Sequence, residues 1–323
     1  MFVKERRPPL ALLTLDACIS RLNQDHPKLD ELRKKAAQLQ KGYNGERKLD
    51  YYLKSLDDTF SILSDVTLNI FGKQFQIDSF IVTANAIYII EVKSLDGSIT
   101  FDTGLKQLIQ QNGEKLIGRK YPITQSENNA FLLLRWLESK ELAGLPIMYY
   151  IAISEQSTII RVNGDEQSIR KAVSYVDEIP LRLIQLNTRL SKTRTENNGL
   201  KNRIVQSVLR NCEELKIDIL KQFNLNLQDI LPGVHCDACL KLSMKRTRFG
   251  WKCLNCNHYS RIAHRKALLH YALIFGKEIT NKQCQHFLGI SRSTAYSILR
   301  NTKGVNIVAQ RKKKWLLDIE KLK

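Results

Sequence analysis

The stretch FQIDSFIVTANAIYIIEVKSLDG, residues 75–97, is the most apolar and β-branched part of the chain, and it predicts a buried hairpin that turns near Ala84-Asn85. Around it the pattern predicts further strands and helices, in an order that indicates an α/β core. The predicted strands are 61–71, 75–83, 86–93, 97–101 and 146–154, and the predicted helices are two within 10–41, broken near His26-Pro27, one from Glu46 and one over 124–140.

Charged residues interrupt the apolar pattern of this hairpin. With a two- or four-residue loop, Asp78 lies directly opposite Glu91 and Gln76 opposite Lys93, and strict alternation puts all four on one face. Two opposed carboxylates repel, and burying them unpaired is costly. A divalent ion with oxygen ligands, Mg²⁺ or Mn²⁺, would offset that cost, and Lys93 could hold or activate a water beside it.

The spacing alone leaves a second interpretation open. A hairpin at the edge of a sheet can carry Asp78, Glu91 and Lys93 on a solvated face, as a surface cluster without a metal. The register is also inferred, and a slip of one residue would send the two carboxylates to opposite faces.

Two more polar residues lie on the apolar stripes of predicted helices. Glu46 precedes Leu49 by three residues, at a helix start marked by Asn44-Gly45, and Gln125 begins the stripe of the helix over 124–140. Each has a local explanation, since Glu46 could favour the helix dipole and Gln125 could cap the first turn. Together with the hairpin they make a more specific set.

Four segments in this order resemble the motifs of the nuclease-related domain, NERD, of the PD-(D/E)xK restriction-endonuclease-like superfamily. The resemblance covers roughly residues 40–155. The four segments are N-G-E (44–46), F-Q-I-D (75–78), I-E-V-K-S-L-D-G (90–97) and Y-P-I-T-Q (121–125). Ile77 stands where the wider superfamily has proline, and Tyr121 where many NERD sequences have asparagine.

The resemblance implies a central mixed sheet flanked by helices and a Mg²⁺-dependent phosphodiesterase site. Asp78 and Glu91 would bind the metal, and Lys93 would assist the attacking water. Glu46 would bind or orient a second ion, and Gln125 would orient Lys93 or the scissile phosphate.

Two cysteine pairs, C-x2-C at 236–239 and C-x2-C at 253–256, are separated by 13 residues. This is the spacing of two knuckles that close a tetrahedral Cys₄ zinc site, and Gly250 suits a tight ribbon turn. Four thiolates leave no open position, so the zinc is expected to be structural. His235 and His258 flank the pairs and could substitute as ligands. The alternative is four free thiols. The ligands of the zinc interpretation are Cys236, Cys239, Cys253 and Cys256.

The basic character of the protein is concentrated towards the C-terminus. Residues 231–323 hold 19 Lys and Arg against 4 Asp and Glu, a net charge of +15, whereas the whole chain carries +19. A polyanion such as DNA is the natural partner of such a segment, although a solvated basic surface is the simpler alternative.

The segment ITNKQCQHFLGISRSTAYSILRN, residues 279–301, resembles helix-turn-helix domains of DNA-binding regulators and recombinases. A helix, a turn at Gly289 and a second helix capped by Ser291 would form the motif, with a plain helical hairpin as the alternative. The resemblance implies that the second helix meets the major groove and that nearby cations contact phosphate. The implied contacts are Arg292, Ser293, Thr294 and Tyr296 on the bases, and Lys282, Arg300, Lys303 and residues 311–314 on phosphate.

The combined prediction is an enzyme in several parts: N-terminal helices (1–40), a NERD nuclease-like domain (41–160), a helical linker (161–230), a zinc ribbon (231–262) and a helix-turn-helix region (263–323). It would hydrolyse DNA with Mg²⁺ or Mn²⁺. The alternatives are a non-catalytic DNA-binding or regulatory protein with a nuclease-like fold, or an enzyme that acts on RNA.

The location and assembly follow from simpler features. No run of 18 apolar residues predicts a transmembrane helix, and the N-terminus lacks a clean signal-peptide cleavage site, so a cytoplasmic protein without a membrane partner is expected. Helix-turn-helix proteins often bind paired half-sites as dimers, which leaves a homodimer open.

Overall fold

A computed structural model describes residues 1–214, 218–309 and 314–323. The described chain forms two compact units. The first unit contains Met1–Pro8 and the chain from Leu39 up to the first gap, and the second contains Pro9–Gln38 and what is described after that gap. The phosphate contacts implied for 311–313 lie outside the described residues.

The described chain contains strands and helices that are interspersed along its length. The strands are β1 (Phe2–Lys4), β2 (Ser61–Ile70), β3 (Lys73–Val82), β4 (Ile87–Lys93), β5 (Ser98–Asp102), β6 (Gln107–Asn112), β7 (Lys115–Arg119), β8 (Ile147–Ile153), β9 (Ile159–Asn163), β10 (Val173–Tyr175), β11 (Met244–Arg246), β12 (Trp251–Cys253), β13 (Tyr259–Ser260), β14 (Glu278–Thr280), β15 (Val305–Ala309) and β16 (Lys314–Leu317). The helices are α1 (Leu10–Ile19), α2 (Leu29–Leu53), α3 (Pro122–Ser139), α4 (Glu166–Ala172), α5 (Ile179–Thr193), α6 (Asn198–Asn211), α7 (Ile219–Gln222), α8 (His264–Phe275), α9 (Asn281–Leu288), α10 (Arg292–Asn301) and α11 (Ile319–Leu322).

A mixed sheet forms the centre of the first unit, with strand order β1-β2-β3-β4-β8-β10 in the described chain. β2, β3 and β4 are antiparallel, whereas β1 runs parallel to β2, and β8 runs parallel to both β4 and β10. Apolar residues of α3 and α6 pack on one face, and those of α2 and α5 on the other. The predicted α/β fold with a central mixed sheet is confirmed.

The hairpin of β3 and β4 has the register that the sequence predicted. Ser79 pairs with Ile90 and Val82 with Ile87, which continues to Asp78 opposite Glu91 if extended by one residue. The Thr83 N–H donates to the Ala86 carbonyl at 2.9 Å and closes a two-residue loop. The Thr83 hydroxyl also accepts from the Ala86 N–H at 3.1 Å, so the loop is fixed by its own threonine.

The strict alternation of faces is broken at the position of Asp78. Ile77 and Phe80 pack in the same apolar cluster although three positions separate them, and Leu63 and Val66 do the same on the neighbouring strand. Between Leu63 and Val66, Asp65 has a positive φ of 52°. The prediction that Gln76 shares a face with Glu91 and Lys93 is therefore wrong.

Helix α2 is continuous from Leu29 to Leu53, so the predicted helix start at Glu46 is wrong. Glycine inside a helix costs about 1 kcal/mol relative to alanine, and Gly42 and Gly45 both lie within α2. Leu49 and Leu53 are fully buried against the sheet, and burying one such side chain contributes about 1.5–3 kcal/mol. The free energy of tertiary packing therefore outweighs the cost of the two glycines, and the helix stays continuous.

The first unit also contains strands that the sequence did not predict. A second sheet has the order β7-β6-β5-β9 within the described chain, and only β5 among these strands was expected. Every residue of β7 is exposed, so it lacks the apolar alternation that marks a strand in sequence. The linker predicted as mostly helical contains β9 and β10 in addition to α4, α5 and α6.

In the second unit α1 packs against α8. A small antiparallel sheet, β11-β12-β13, follows the pattern of a ribbon, and another has the order β14-β16-β15. α9 ends at Gly289, which has the left-handed φ of 66°, and α10 begins after Ser291, whose side chain accepts from the Thr294 N–H. Across the described ranges, no helix combines the length and apolar character needed to cross a membrane.

Candidate active site and metal centre

Glu91, Lys93 and Gln125 form one hydrogen-bonded cluster in the first unit. The Lys93 ammonium donates to Glu91 Oε1 at 2.7 Å and to Gln125 Oε1 at 3.1 Å. Gln125 Nε2 donates to the same Glu91 oxygen at 2.7 Å. Glu91 and Lys93 come from β4, two residues apart on one face, and Gln125 comes from the first turn of α3, so the sheet and the helix fix the group together.

Asp78 of β3 is hydrogen-bonded to β4 at Val92, the residue that follows Glu91. Its Oδ2 accepts from the Val92 N–H at 2.9 Å, and this bond lies where the ladder between β3 and β4 stops. Burial is the largest cause that raises the pKa of Asp78 above its ordinary value. For Glu91, burial and then the charge of Asp78 raise the pKa to about 7. Asp78 is thus close enough to disfavour the ionisation of Glu91.

Glu46 reaches the site from α2, because Gly45 lets the helix approach the sheet closely. A Cβ at Gly45 would lie 2.7 Å from Ser154 Oγ and 2.9 Å from Ser94 Cβ. Burial, followed by the charge of Asp78, raises the pKa of Glu46 to about 8. The N-G-E segment therefore lies inside helix α2, at the point where this helix contacts the ends of β4 and β8.

The sequence did not predict three charged residues that complete the cluster. Arg6 Nη1 donates to Glu46 Oε2 at 2.8 Å and to Asp65 Oδ1 at 2.6 Å, and Arg6 Nε donates to Asp50 Oδ2 at 2.7 Å. A signal existed for Asp50, which lies four residues after Glu46 on the same helix face. Asp65 interrupts an apolar strand, but nothing in the sequence near Arg6 points to the site.

These donors suit a hard divalent cation. Asp78 and Glu91 offer carboxylate oxygens, and burial raises the pKa of both, so a bound cation would favour their ionised forms. Of the four carboxylate oxygens of this pair, Asp78 Oδ1 and Glu91 Oε2 accept no hydrogen bond from the described residues. The chemistry of the donor set therefore fits Mg²⁺ or Mn²⁺ between these side chains.

A second candidate metal centre lies in the second unit, where the four predicted cysteines meet. Their sulfur atoms all lie within 4.8 Å of one another. Cys236 Sγ is 3.6 Å from Cys256 Sγ, and Cys239 Sγ is 3.7 Å from Cys253 Sγ. A tetrahedral site with Zn–S bonds of about 2.3 Å has edges of about 3.8 Å. The cluster can hold a metal ion such as zinc.

The surroundings of the cluster support this arrangement. The N–H groups of Asn255 and Cys256 point to Cys253 Sγ at 3.3 and 3.5 Å, as expected in a knuckle that stabilises a thiolate. Gly250 is required by close packing, since a Cβ there would lie 2.4 Å from the Tyr259 hydroxyl. His235 Nε2 lies 2.9 Å from the Ser20 carbonyl, which gives this histidine a partner outside the cluster.

The residues implied for contact with the bases lie on α10, together with Arg300, whereas Lys282 lies on α9, Lys303 follows α10 and Lys314 begins β16. Arg292, Ser293, Tyr296 and Arg300 are exposed, and Thr294 is half-buried. Their apolar neighbours Ala295, Ile298 and Leu299 face inward. The helix therefore presents polar and basic side chains on its outer side.

The comparisons with known proteins concern the first unit. Residues 41–154 match the family described as "Nuclease-related domain", NERD. Neither the curated proteins nor the solved structures gave a match. The match includes Glu46, Asp78, Glu91 and Gln125 but not Arg6, and it agrees with a restriction-endonuclease-like core. Residues 41–154 of this chain are therefore a nuclease-related domain.

Proposed function

We propose that the first unit is a metal-dependent nuclease that hydrolyses phosphodiester bonds in DNA. The observation that carries the proposal is the cluster of Glu91, Lys93 and Gln125 beside buried Asp78, inside a nuclease-related domain. A buried carboxylate pair with raised pKa values and an adjacent lysine is typical of a catalytic site.

Each side chain of the site has a role in this reaction. Asp78 and Glu91 would hold Mg²⁺ or Mn²⁺, and a bound divalent ion supplies charge stabilisation and lowers the pKa of a coordinated water. Lys93 donates to the attacking water or to a phosphate oxygen. Gln125 keeps Lys93 and Glu91 in place through one bond to each.

Glu46 has a different role from the one implied by the resemblance. Its Oε2 accepts a bond from Arg6 at 2.8 Å, within a group that also contains Asp50 and Asp65. Glu46 therefore accepts a hydrogen bond from Arg6 and anchors α2 to the site.

The second unit delivers the enzyme to DNA. We assign zinc to the four cysteines, because it would stabilise a ribbon too small to hold its own core. A surface cavity of about 760 Å³ is lined by Lys282, Arg292 and Tyr296 among others, and one of about 350 Å³ by Arg246, Arg261, Arg265 and Lys303 among others. Among the described residues, no Asp or Glu lines either cavity, so both cavities suit the negative charge of a phosphate group.

The test is incubation of the zinc-loaded protein with plasmid DNA, linear DNA and RNA, each with Mg²⁺, Mn²⁺ or EDTA. We expect cleavage of DNA with either ion and none with EDTA. Glu91→Gln and Lys93→Ala are expected to lower the cleavage rate by about 100-fold or more and to keep DNA binding. Absence of cleavage with every nucleic acid and metal would overturn the proposal.

Matched exposed residues serve as controls. Glu196→Gln and Lys54→Ala remove the same charges at exposed positions and are expected to cleave like the unmodified protein. For delivery, Arg292→Ala and Arg300→Ala are expected to weaken binding of a labelled duplex and to lower its salt dependence, whereas Lys54→Ala is not. Equal binding by all variants would contradict the role of α10.

Two observations favour the non-catalytic alternative, a DNA-binding protein with a nuclease-like fold. Within the described ranges, the cysteine cluster alone brings the ligand atoms of three or more His, Cys, Asp or Glu residues together. Glu91 Oε1 is also engaged by both Lys93 and Gln125. The cleavage assay with Mn²⁺ separates the two functions, because the alternative predicts binding without products.

A further inference from the structure

Arg6 lies inside the carboxylate cluster, although it precedes the nuclease-related domain by more than thirty residues of sequence. Strand β1 brings it there by running parallel to β2 at the edge of the central sheet. The Arg6 side chain is only 2% exposed, whereas Arg7 next to it is exposed.

Every nitrogen of the Arg6 guanidinium has a partner in this cluster. Nε and Nη2 donate to the two carboxylate oxygens of Asp50, at 2.7 and 3.2 Å. Nη1 donates to Glu46 and Asp65, and Nη2 also donates to the Asp78 carbonyl at 2.8 Å. The guanidinium thus joins three carboxylates to the backbone of the residue that would hold the metal.

The charge balance explains why a fixed cation is needed at this point. Burial raises the pKa of Asp65, and Arg6 is among the charges that lower it again. Burial would lower the pKa of Arg6, but the hydrogen bond to Asp50 and the charges of Asp65 and Glu46 raise it. Arg6 therefore stays protonated at any pH at which the protein is folded.

We propose that Arg6 is a positioning residue that takes the place of a second metal ion in the nuclease site. Its guanidinium occupies the space between Glu46, Asp50 and Asp65, so that the site accepts one divalent ion, at Asp78 and Glu91. The inference rests on the proposed nuclease function for the first ion. It differs from the role that the resemblance implies for Glu46, which would be to bind or orient a second ion.

The test counts metal ions rather than products. Full-length zinc-loaded protein is titrated with Mn²⁺ alone, and free Mn²⁺ is followed by electron paramagnetic resonance at constant pH and ionic strength. We expect one tight Mn²⁺ site in the unmodified protein and one more in Arg6→Ser, whose small side chain leaves the three carboxylates without their cation. Arg6→Lys keeps a cation and is expected to keep the count of the unmodified protein.

Two controls show where the added ion binds. Arg7→Ser removes the neighbouring exposed arginine and is expected to leave the Mn²⁺ count unchanged. Arg6→Ser combined with Asp50→Asn is expected to lose the added site, because one of its three carboxylates is neutralised.

The difference between variants tests this inference, and the count in the unmodified protein tests the proposed function. An equal count in Arg6→Ser and the unmodified protein would overturn the role of Arg6, as would two tight sites in the unmodified protein. If the unmodified protein binds none and Arg6→Ser binds one, the inference holds and the nuclease proposal fails. If Arg6→Ser unfolds, Mn²⁺ is expected to restore folding, and failure to do so would overturn the inference.

Discussion

Glu91 shows at the level of single residues how a buried charge is kept. It is 7% exposed, lies on an apolar strand, and accepts bonds from Lys93 and Gln125 on one oxygen. Removing one partner of a buried charged pair costs more than the pair contributes, because the remaining charge stays buried. Each side chain of the cluster therefore depends on the others, and substitutions here are expected to act on chemistry and on local order together.

Gln125→Leu is expected to lower the cleavage rate by about 10- to 100-fold, because Lys93 and Glu91 lose the amide that fixes their positions. The measurement is single-turnover cleavage with Mg²⁺. DNA binding should be unchanged. Asn128→Leu, at an exposed position of α3, is the control and should cleave normally. A normal rate for Gln125→Leu would show that the amide is not needed.

The buried His264 is expected to make folding sensitive to acid. Trp251 Nε1 donates to His264 Nδ1 at 3.2 Å, and burial lowers the pKa of His264 to about 4. In the unfolded chain a histidine titrates at about 6.5, so between these values the unfolded state binds more protons. The contribution of His264 to the free energy of unfolding is therefore expected to fall as the pH is lowered from 7 towards 4.

The measurement for His264 is urea unfolding at pH 7 and pH 5. His264→Gln has no charge to gain, and its loss of stability on acidification is expected to be smaller by at most about 1.4 kcal/mol per pH unit. His286→Gln changes an exposed histidine and serves as the control. Equal losses in the unmodified protein and in His264→Gln would rule out this histidine as the cause.

At the scale of elements, α2 and the β3–β4 hairpin decide where the site lies. The hairpin register follows from a two-residue loop. At Asp65 and Asp78 the alternation between the two faces of the sheet is interrupted, and both residues lie outside the paired register of β2 and β3. Helix α2 passes the ends of β4 and β8 at a glycine, so a residue without a side chain fixes the distance. Backbone approach, rather than any one side chain, brings Glu46 to the sheet.

Gly45→Ala is expected to destabilise the protein by about 1–3 kcal/mol, because the added methyl group would overlap Ser94 and Ser154. Gly42→Ala is a matched control three residues earlier in α2, where a Cβ meets nothing within 4 Å. That variant is expected to be more stable by about 0.5–1 kcal/mol, as alanine is the better helix former. Urea unfolding measures both, and a shift of the same sign in the two variants would refute the close approach.

At the scale of the whole molecule, the described chain separates into two compact units with different charge and chemistry. The carboxylate site belongs to the first unit, whereas the cysteine cluster and the basic helices belong to the second. The chain from 231 onward carries +15 of the total charge of +19. The division into five parts predicted from the sequence remains a prediction, and α2 crosses its boundary at residue 40.

Removing zinc is expected to abolish DNA binding before it affects the nuclease-related domain. A ribbon of three short strands has little core, so its folding depends on the metal. Zinc is removed with a chelator, DNA binding is measured by anisotropy, and thermal unfolding reports the remaining structure. Cys253→Ala should behave like the chelated protein and Cys212→Ser, outside the cluster, like the untreated one. Full DNA binding without zinc would contradict this dependence.

The sequence predicted the parts of the site that depend on local pattern. Asp78, Glu91, Lys93 and Gln125 stand in strands and a helix whose positions follow from apolar periodicity, and the hairpin register follows from the loop. The cysteine cluster follows from spacing alone, because two knuckles are local structures. Whether these residues catalyse hydrolysis or bind DNA stays a prediction.

Tertiary structure alone decided the rest. Arg6 follows strand β1, Asp50 lies in helix α2 and Asp65 in strand β2, and their meeting depends on how these segments pack. The same holds for the continuity of α2, where burial of leucines outweighs two glycines. Local propensities act over a few residues. The formation of a buried charge cluster depends on the free energy of packing the whole core, to which segments distant in sequence contribute together.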